Sequence, residues 1–77
     1  MKEISILGTG CPKCRKLYEN AQAAVASMGV EASVKKVEKV ADIVAYGVLT
    51  TPAIAVDGNV RSAGKVLSPE QIVDLLA

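Results

Sequence analysis

Two cysteines, the only ones in a chain of 77 residues, lie three positions apart in the segment Cys11-Pro12-Lys13-Cys14. A short apolar run from Ile4 to Leu7 precedes this segment, and a helical pattern ending at Met28 follows it. A Cys-x-x-Cys segment that leaves a strand and opens a helix places its first sulfur against unpaired amide N–H groups and the positive end of the helix dipole. We therefore predict that Cys11 is a stabilised thiolate and that Cys14, one turn on, lies within disulfide-bonding reach.

The residues around the cysteines fit this interpretation. Pro12 suits the first helical position, because its φ is already helical and its missing N–H would have been unpaired there. Lys13, Arg15 and Lys16 add positive charge within a turn of Cys11, so we expect them to lower its pKa from the free value of about 8.5. A solvated basic face is the simpler explanation of these three cations when they are taken alone.

Length and composition limit the number of domains, the make-up of the core and the roles open to the cysteine pair. A chain of 77 residues buries roughly 60% of its unfolded surface, so residues 1–77 are expected to form a single domain. The chain has no Phe and no Trp, so its core must be built from Val, Ile, Leu and Ala. A disulfide closing a four-residue loop contributes only about 2 kcal/mol on the chain-entropy model. The cysteine pair is therefore better suited to catalysis or metal binding than to stapling the fold.

Charge and hydropathy exclude several partners. Nine basic and eight acidic residues give a net charge of +1, which provides no electrostatic basis for binding nucleic acid or an anionic membrane. The first apolar run is too short for a signal peptide, and no stretch approaches the roughly 20 apolar residues that span a bilayer. We expect a cytoplasmic monomer with no nucleic-acid or membrane partner. A dithiol reaction requires no cofactor or metal, and we expect none.

Hydrophobic periodicity predicts the first half of the fold. The long helix should end at Gly29 and bury one stripe of side chains, namely Cys14, Leu17, Tyr18, Ala21, Ala24, Val25 and Met28. Alternation from Val30 to Lys35 predicts a half-exposed edge strand. A shorter helix is expected between about Glu38 and Gly47, with a small apolar stripe of Val40, Ile43 and Val44.

The second half of the chain predicts a hairpin and a capped helix. Short strands at Ala53–Val56 and Val60–Ala63 flank Asp57-Gly58, a strong signal for a tight turn. Ser68 is the expected N-cap of the last helix, with Pro69 at N1, Gln71 completing a capping box at N3, and an apolar face of Ile72, Val73, Leu75 and Leu76. The result is an α/β fold in the order β-α-β-α-β-β-α, whose helices cover both faces of a four-stranded mixed sheet.

This combination resembles the thioredoxin and glutaredoxin superfamily, in particular its small microbial members known as redox-active disulfide proteins. The segment Cys11-Pro12-Lys13-Cys14 and the stretch Tyr46–Gly58 carry the resemblance, which covers nearly the whole chain. It implies a thioredoxin-like fold and a thiol-disulfide oxidoreductase with Cys11 and Cys14 as the catalytic pair. It also implies a cis Thr51–Pro52 bond beside the cysteines, whereas the residues alone equally allow an ordinary trans proline heading a strand.

The resemblance further implies partners and contacts. Protein disulfides and an upstream thiol reductase are the expected partners, and the substrate-binding residues are expected to be Pro12, Lys13, Thr51 and Pro52. Gly10 stands where thioredoxins usually have Trp, and no acid occurs within Ile4 to Leu7 to accept a proton from Cys14. The Gly-Gly and Asp with which glutaredoxins hold glutathione are replaced by Ser62-Ala63-Gly64-Lys65, so glutathione binding is not expected.

Two alternatives compete with redox chemistry. The run Gly8-Thr9-Gly10-Cys11-Pro12-Lys13-Cys14 is similar to the loop of small heavy-metal-associated domains, in which two thiolates hold Cu(I). Such a domain ends on a strand, whereas this chain is predicted to end on a capped helix. The other alternative is a binding module with inert buried cysteines, which leaves Pro12 and the basic first turn unexplained. We favour the redox interpretation.

Overall fold

The computed structural model describes residues 2–29 and 31–76. Its elements, in chain order, are β1 (Lys2–Leu7), α1 (Pro12–Met28), β2 (Ala32–Val37), α2 (Val40–Ala45), β3 (Ala53–Val56), β4 (Asn59–Ala63) and α3 (Pro69–Leu76). The predicted order β-α-β-α-β-β-α is confirmed. Val30, which the alternating pattern assigns to the second strand, lies outside the described residues.

The four strands form one mixed sheet in the order β2-β1-β3-β4. β1 pairs in parallel with β2 and antiparallel with β3, and β3 pairs antiparallel with β4. β1 is therefore central, which explains why Ile4 to Leu7 are all buried, and β2 lies at an edge as predicted. Leu7, the last residue of β1, pairs with Val37 and Ala53. The cysteine segment follows β1 and therefore lies at this end of the sheet.

Helices cover both faces of the sheet, as predicted. α1 and α3 pack on one face against the alternate residues Ile4, Ile6, Ile54 and Val56. The fully buried Ala21 and Ala24 of α1 allow this helix to approach the sheet closely, which suits a core without Phe or Trp. On the opposite face a smaller cluster joins Leu7, Ile43, Val48 and Ala53.

Only one of the three apolar side chains predicted to form a stripe on α2 is buried. Ile43 is buried, but Val40 and Val44 are 64% and 56% exposed. The helix begins at Val40 and has only six residues, fewer than two turns, so only one of its side chains becomes buried in the cluster around Leu7. Val48, after the helix, supplies the remaining buried cover on this face.

The hairpin and the last helix follow the predicted local chemistry. Asp57 and Gly58 have φ values of 51° and 86°, the positive values that a two-residue turn of this kind requires. Ser68 Oγ accepts from the Gln71 N–H at 3.2 Å, and Gln71 Oε1 accepts from the Ser68 N–H at 2.9 Å, which confirms the capping box. Ile72 is fully buried on the predicted apolar face. Among the described residues, no helix combines the length and apolarity needed to span a bilayer.

Candidate active site

The cysteine segment forms the connection from β1 to α1. α1 begins at Pro12, and Cys11 is its N-cap with an extended backbone (φ −67°, ψ 163°). The Cys11 carbonyl accepts the first helical hydrogen bond, from the Arg15 N–H at 3.0 Å. The predicted helix start at Pro12 is therefore confirmed, and the sulfur of Cys11 lies at the end of the helix where backbone donors are free.

The sulfur of Cys11 acts as the helix cap. The backbone N–H of Cys14 donates to Cys11 Sγ at 3.3 Å. A hydrogen bond from the Cys14 side chain lowers the pKa of the Cys11 thiol most, and the Cys14 N–H lowers it further, against a smaller opposing effect of burial. The expectation that helix-end amides favour a Cys11 thiolate is thus supported by the geometry.

The positive side chains of the first turn lie in solvent. Lys13, Arg15 and Lys16 are all exposed, and so is Pro12. The pKa of Cys11 is lowered mainly by hydrogen bonds from Cys14 and from backbone N–H groups. A further lowering by the three cations stays a prediction, and water screens exposed ammonium and guanidinium groups strongly.

Cys14 occupies a different environment from Cys11 one turn away. It is buried, with 5% of its surface exposed, whereas Cys11 is half-buried. Burial raises the pKa of the Cys14 thiol, and its hydrogen bond to Cys11 raises it further. The pair therefore combines an accessible sulfur whose thiol pKa is lowered with a protected sulfur whose thiol pKa is raised.

Gly8 forms the wall behind Cys14. A Cβ placed on Gly8 would collide with Cys14 Sγ and would lie 3.0 Å from Cys14 Cβ. The Gly8 N–H donates to the Val37 carbonyl at 3.0 Å, which holds this backbone in place at the end of the β1–β2 pair. This role was not predicted from the sequence, because a glycine after a strand indicates only a turn.

The segment before β3 lies against the cysteine pair. The Thr51–Pro52 bond is cis, as the resemblance implied. Thr51 Cβ is 3.9 Å from the Cβ position of Gly8, so Thr51 and Cys14 adjoin the same glycine. Pro52 is fully buried, and its carbonyl accepts from the Gly64 N–H at 2.8 Å. Within residues 2–29 and 31–76, the backbone groups of the exposed Thr51 have no backbone hydrogen-bond partner.

A cavity of about 170 Å³ opens beside Cys14, between the start of α1 and the ends of β1 and β2. Its lining consists of Ile6, Gly8, Gly10, Cys14, Arg15, Lys36 and Glu38. Glu38 was not among the site residues predicted from the sequence, where an acid was expected only within Ile4 to Leu7. The signal that could have found it is the parallel pairing of β1 with β2, which brings the residues following both strands to one edge.

Comparison with known proteins gives the family. A family model described as a thioredoxin domain matches residues 2–77. The chain belongs to the thioredoxin domain family. It is 38% identical over 77 residues to a thioredoxin of Methanothermobacter thermautotrophicus, with both chains covered completely. It is 42% identical over 76 residues to a thioredoxin of Methanocaldococcus jannaschii, a match that covers 99% of this chain and 87% of the other.

This thioredoxin-family protein is a thiol-disulfide oxidoreductase, in agreement with the Cys11–Cys14 pair at its helix start. The predicted thioredoxin-like α/β fold is confirmed. The last element that the structure describes is the helix α3, which pairs with none of the four strands. Within the described residues, no group of three or more His, Cys, Asp or Glu side chains is placed to hold a metal ion together.

Proposed function

We propose that Cys11 is the attacking thiolate and Cys14 the resolving thiol in the reduction of protein disulfides. Cys11 Sγ attacks one sulfur of the substrate disulfide, and the other substrate sulfur leaves as a thiolate. Cys14 then releases its proton to water and attacks Cys11 Sγ. The second substrate sulfur departs as a thiolate, and a Cys11–Cys14 disulfide remains. The substrate gains two electrons, and the cysteine pair loses two.

One observation carries this assignment of roles: Cys11 Sγ accepts the Cys14 N–H at 3.3 Å while Cys14 itself is buried. A nucleophile needs an accessible sulfur that is readily ionised, and Cys11 is the less buried cysteine and the one whose pKa is lowered. A resolving thiol needs protection from outside disulfides together with reach to the first sulfur, which describes Cys14. The opposite assignment would require the buried thiol, whose pKa is raised, to attack first.

Substrate contacts in this proposal come from both sides of Cys11. Thr51 is exposed, and no described residue forms a backbone hydrogen bond with it, which suits pairing with an extended segment of the substrate. Pro12 and Lys13 are exposed beside Cys11 and contact the substrate on the helix side. Pro52 is buried, so its part is to hold Thr51 in position rather than to contact substrate through its own ring.

The proposed cycle also needs a source of electrons. After each turnover the Cys11–Cys14 disulfide must be reduced by an upstream thiol reductase that attacks the accessible sulfur of Cys11. The relatives that cover the whole chain are thioredoxins, which supports protein disulfides as the substrate class. We further propose that the protein works in the cytoplasm as a monomer, since one chain supplies both cysteines and Thr51.

A trapping experiment tests the two roles. Cys14→Ser should accumulate a mixed disulfide between Cys11 and a protein substrate such as insulin, because the resolving thiol is gone. Cys11→Ser, which keeps the other cysteine, is the matched control and should form no such adduct. Mass spectrometry of the mixture under non-reducing conditions gives the measurement. Equal adduct formation by both variants would refute the assignment of Cys11 as the attacking residue.

A further inference from the structure

Leu49 is an exposed apolar side chain in the connection from α2 to β3. It is 95% exposed, while the other exposed large apolar residues in the described part of the chain are between 37% and 64% exposed. Single exposed leucines are common on protein surfaces and by themselves carry no meaning. The position of Leu49 relative to the cysteine pair is what distinguishes it.

The neighbours of Leu49 hold it in this outward position. Val48 is buried in the cluster around Leu7, and Pro52 is fully buried on the other side. Thr50 packs close to Gly64, with its Oγ1 3.3 Å from the Cβ position of that glycine. The connection is thus anchored on both sides of Leu49, so the exposed side chain is presented by packed neighbours.

The anchored connection leads directly to the reacting sulfurs. Thr51, two residues after Leu49, adjoins the glycine that touches Cys14 Sγ. Two residues of chain span at most about 7 Å. A protein segment that delivers a disulfide to Cys11 and pairs with Thr51 therefore passes within side-chain reach of Leu49.

The shape of the site makes surface contacts important. The cavity beside Cys14 is about 170 Å³ in volume, and its lining includes the charged residues Arg15, Lys36 and Glu38, which favour polar over apolar groups of a substrate. Apolar contacts with a substrate then depend on exposed residues near the cysteine pair, and Leu49 is the most exposed large apolar side chain within residues 2–29 and 31–76.

We propose that Leu49 determines specificity by packing against an apolar side chain next to the disulfide of the substrate protein. This inference rests on the proposed function and adds to it a chemical preference: disulfides flanked by leucine-like residues react faster than those flanked by polar residues. The gain arises because both apolar surfaces leave water in the encounter complex.

Two synthetic peptides provide the test. Each contains one intramolecular disulfide, and they differ only in the residues flanking the first cysteine, which are leucines in one and serines in the other. The ratio of kcat/KM for the two peptides, with dithiothreitol as electron donor, should be about ten for the unaltered protein, or about 1.4 kcal/mol. Leu49→Ser should reduce the ratio to about one, and Leu49→Met should restore most of it.

A matched control separates this effect from general surface hydrophobicity. Val44→Ser removes an exposed apolar side chain from α2 and should leave the ratio at about ten. An unchanged ratio in Leu49→Ser would overturn the role of Leu49 while leaving the oxidoreductase assignment intact. A protein that reduces neither peptide would overturn the proposed function and this inference with it.

Discussion

Two helices of this protein begin in the same way and serve different purposes. α1 starts with Cys11-Pro12-Lys13-Cys14 and α3 with Ser68-Pro69-Glu70-Gln71. In each case the N-cap side chain accepts the N–H three residues on, at 3.3 Å to sulfur in α1 and at 3.2 Å to oxygen in α3. Proline occupies the first helical position in both.

The two starts differ in what surrounds the cap. At α3, Glu70 places negative charge in the first turn, and the Gln71 side chain accepts the Ser68 N–H, so both features stabilise the helix. At α1 the first turn has no acid and carries cations, which oppose the helix dipole. At α3 the hydrogen bond from the Gln71 N–H to a hydroxyl stabilises the helix. At α1 the equivalent hydrogen bond from the Cys14 N–H favours the thiolate form of Cys11. The start of α1 gives up part of the helix stability that the start of α3 obtains.

The largest effect should come from making the first cap resemble the second. Cys11→Ser removes the nucleophile, so disulfide reductase activity should fall to the uncatalysed level. Serine is among the best N-caps, so the thermal midpoint of the reduced protein should be unchanged or higher. Insulin reduction and thermal denaturation measure the two outcomes. Disulfide reduction at the normal rate by Cys11→Ser would show that Cys11 is not the nucleophile and that the start of α1, like that of α3, only caps a helix.

A second change tests Gly8, which packs against Cys14 at the start of α1. This contact belongs to the start of α1 and is not part of the cap of α3. Gly8→Ala should reduce the free energy of unfolding by about 1–3 kcal/mol, because the added methyl overlaps Cys14 Sγ. Urea denaturation of the reduced protein gives this value. The cost should be smaller in a Cys14→Ala background, where the sulfur is absent. An equal cost in both backgrounds would show that Gly8 is needed for another reason.

Removing the second cap should affect stability alone. Ser68→Ala leaves the Gln71 N–H without its side-chain partner and should lower the free energy of unfolding by about 1 kcal/mol. Ser68 lies in the loop entering α3, so activity per folded molecule should remain normal. Chemical denaturation and insulin reduction on the same preparation measure the two effects. A loss of activity in this variant would mean that α3 contributes to the site.

The smallest effect should be the difference in pKa between a cysteine at the cap of α1 and a cysteine introduced at the cap of α3. Ser68→Cys, in a protein also carrying Cys11→Ser and Cys14→Ser, should titrate above the native Cys11, because the largest cause lowering the pKa of Cys11 is the Cys14 thiol, which the α3 cap lacks. The alkylation rate against pH gives both midpoints. A midpoint for Ser68→Cys at or below that of Cys11 would show that the Cys14 side chain adds nothing.

The lowered pKa of Cys11 also predicts a pH dependence of stability. A group that ionises more readily when folded adds stability above the pKa of the unfolded chain, and that contribution is lost as pH falls through the folded-state pKa. The free energy of unfolding of the reduced protein should therefore fall on acidification across that interval. Cys11→Ser is the control and should lack this component.

Much of the fold could be predicted because its signals are local. The turn at Asp57-Gly58 follows from residues that tolerate positive φ, and the capping box at Ser68 follows from side chains three residues apart. The long stripe of α1 is likewise a matter of spacing. α2 was the exception: its six residues are too few for periodicity to show which side chain faces the sheet, and only Ile43 is buried.

The sequence by itself determined that a thiol caps the start of a helix, since Cys11, Pro12 and Cys14 act through covalent spacing along one short segment. The tertiary structure alone decided what surrounds that cap. Gly8 contacts Cys14 because β1 ends beside it. Glu38 lines the cavity next to Cys14 because β2 runs parallel to β1. Thr51 lies near the pair although it belongs to the connection between α2 and β3, far along the chain. The physical reason is that hydrogen bonding at a helix end is local, whereas burial depends on which strands of the sheet become neighbours.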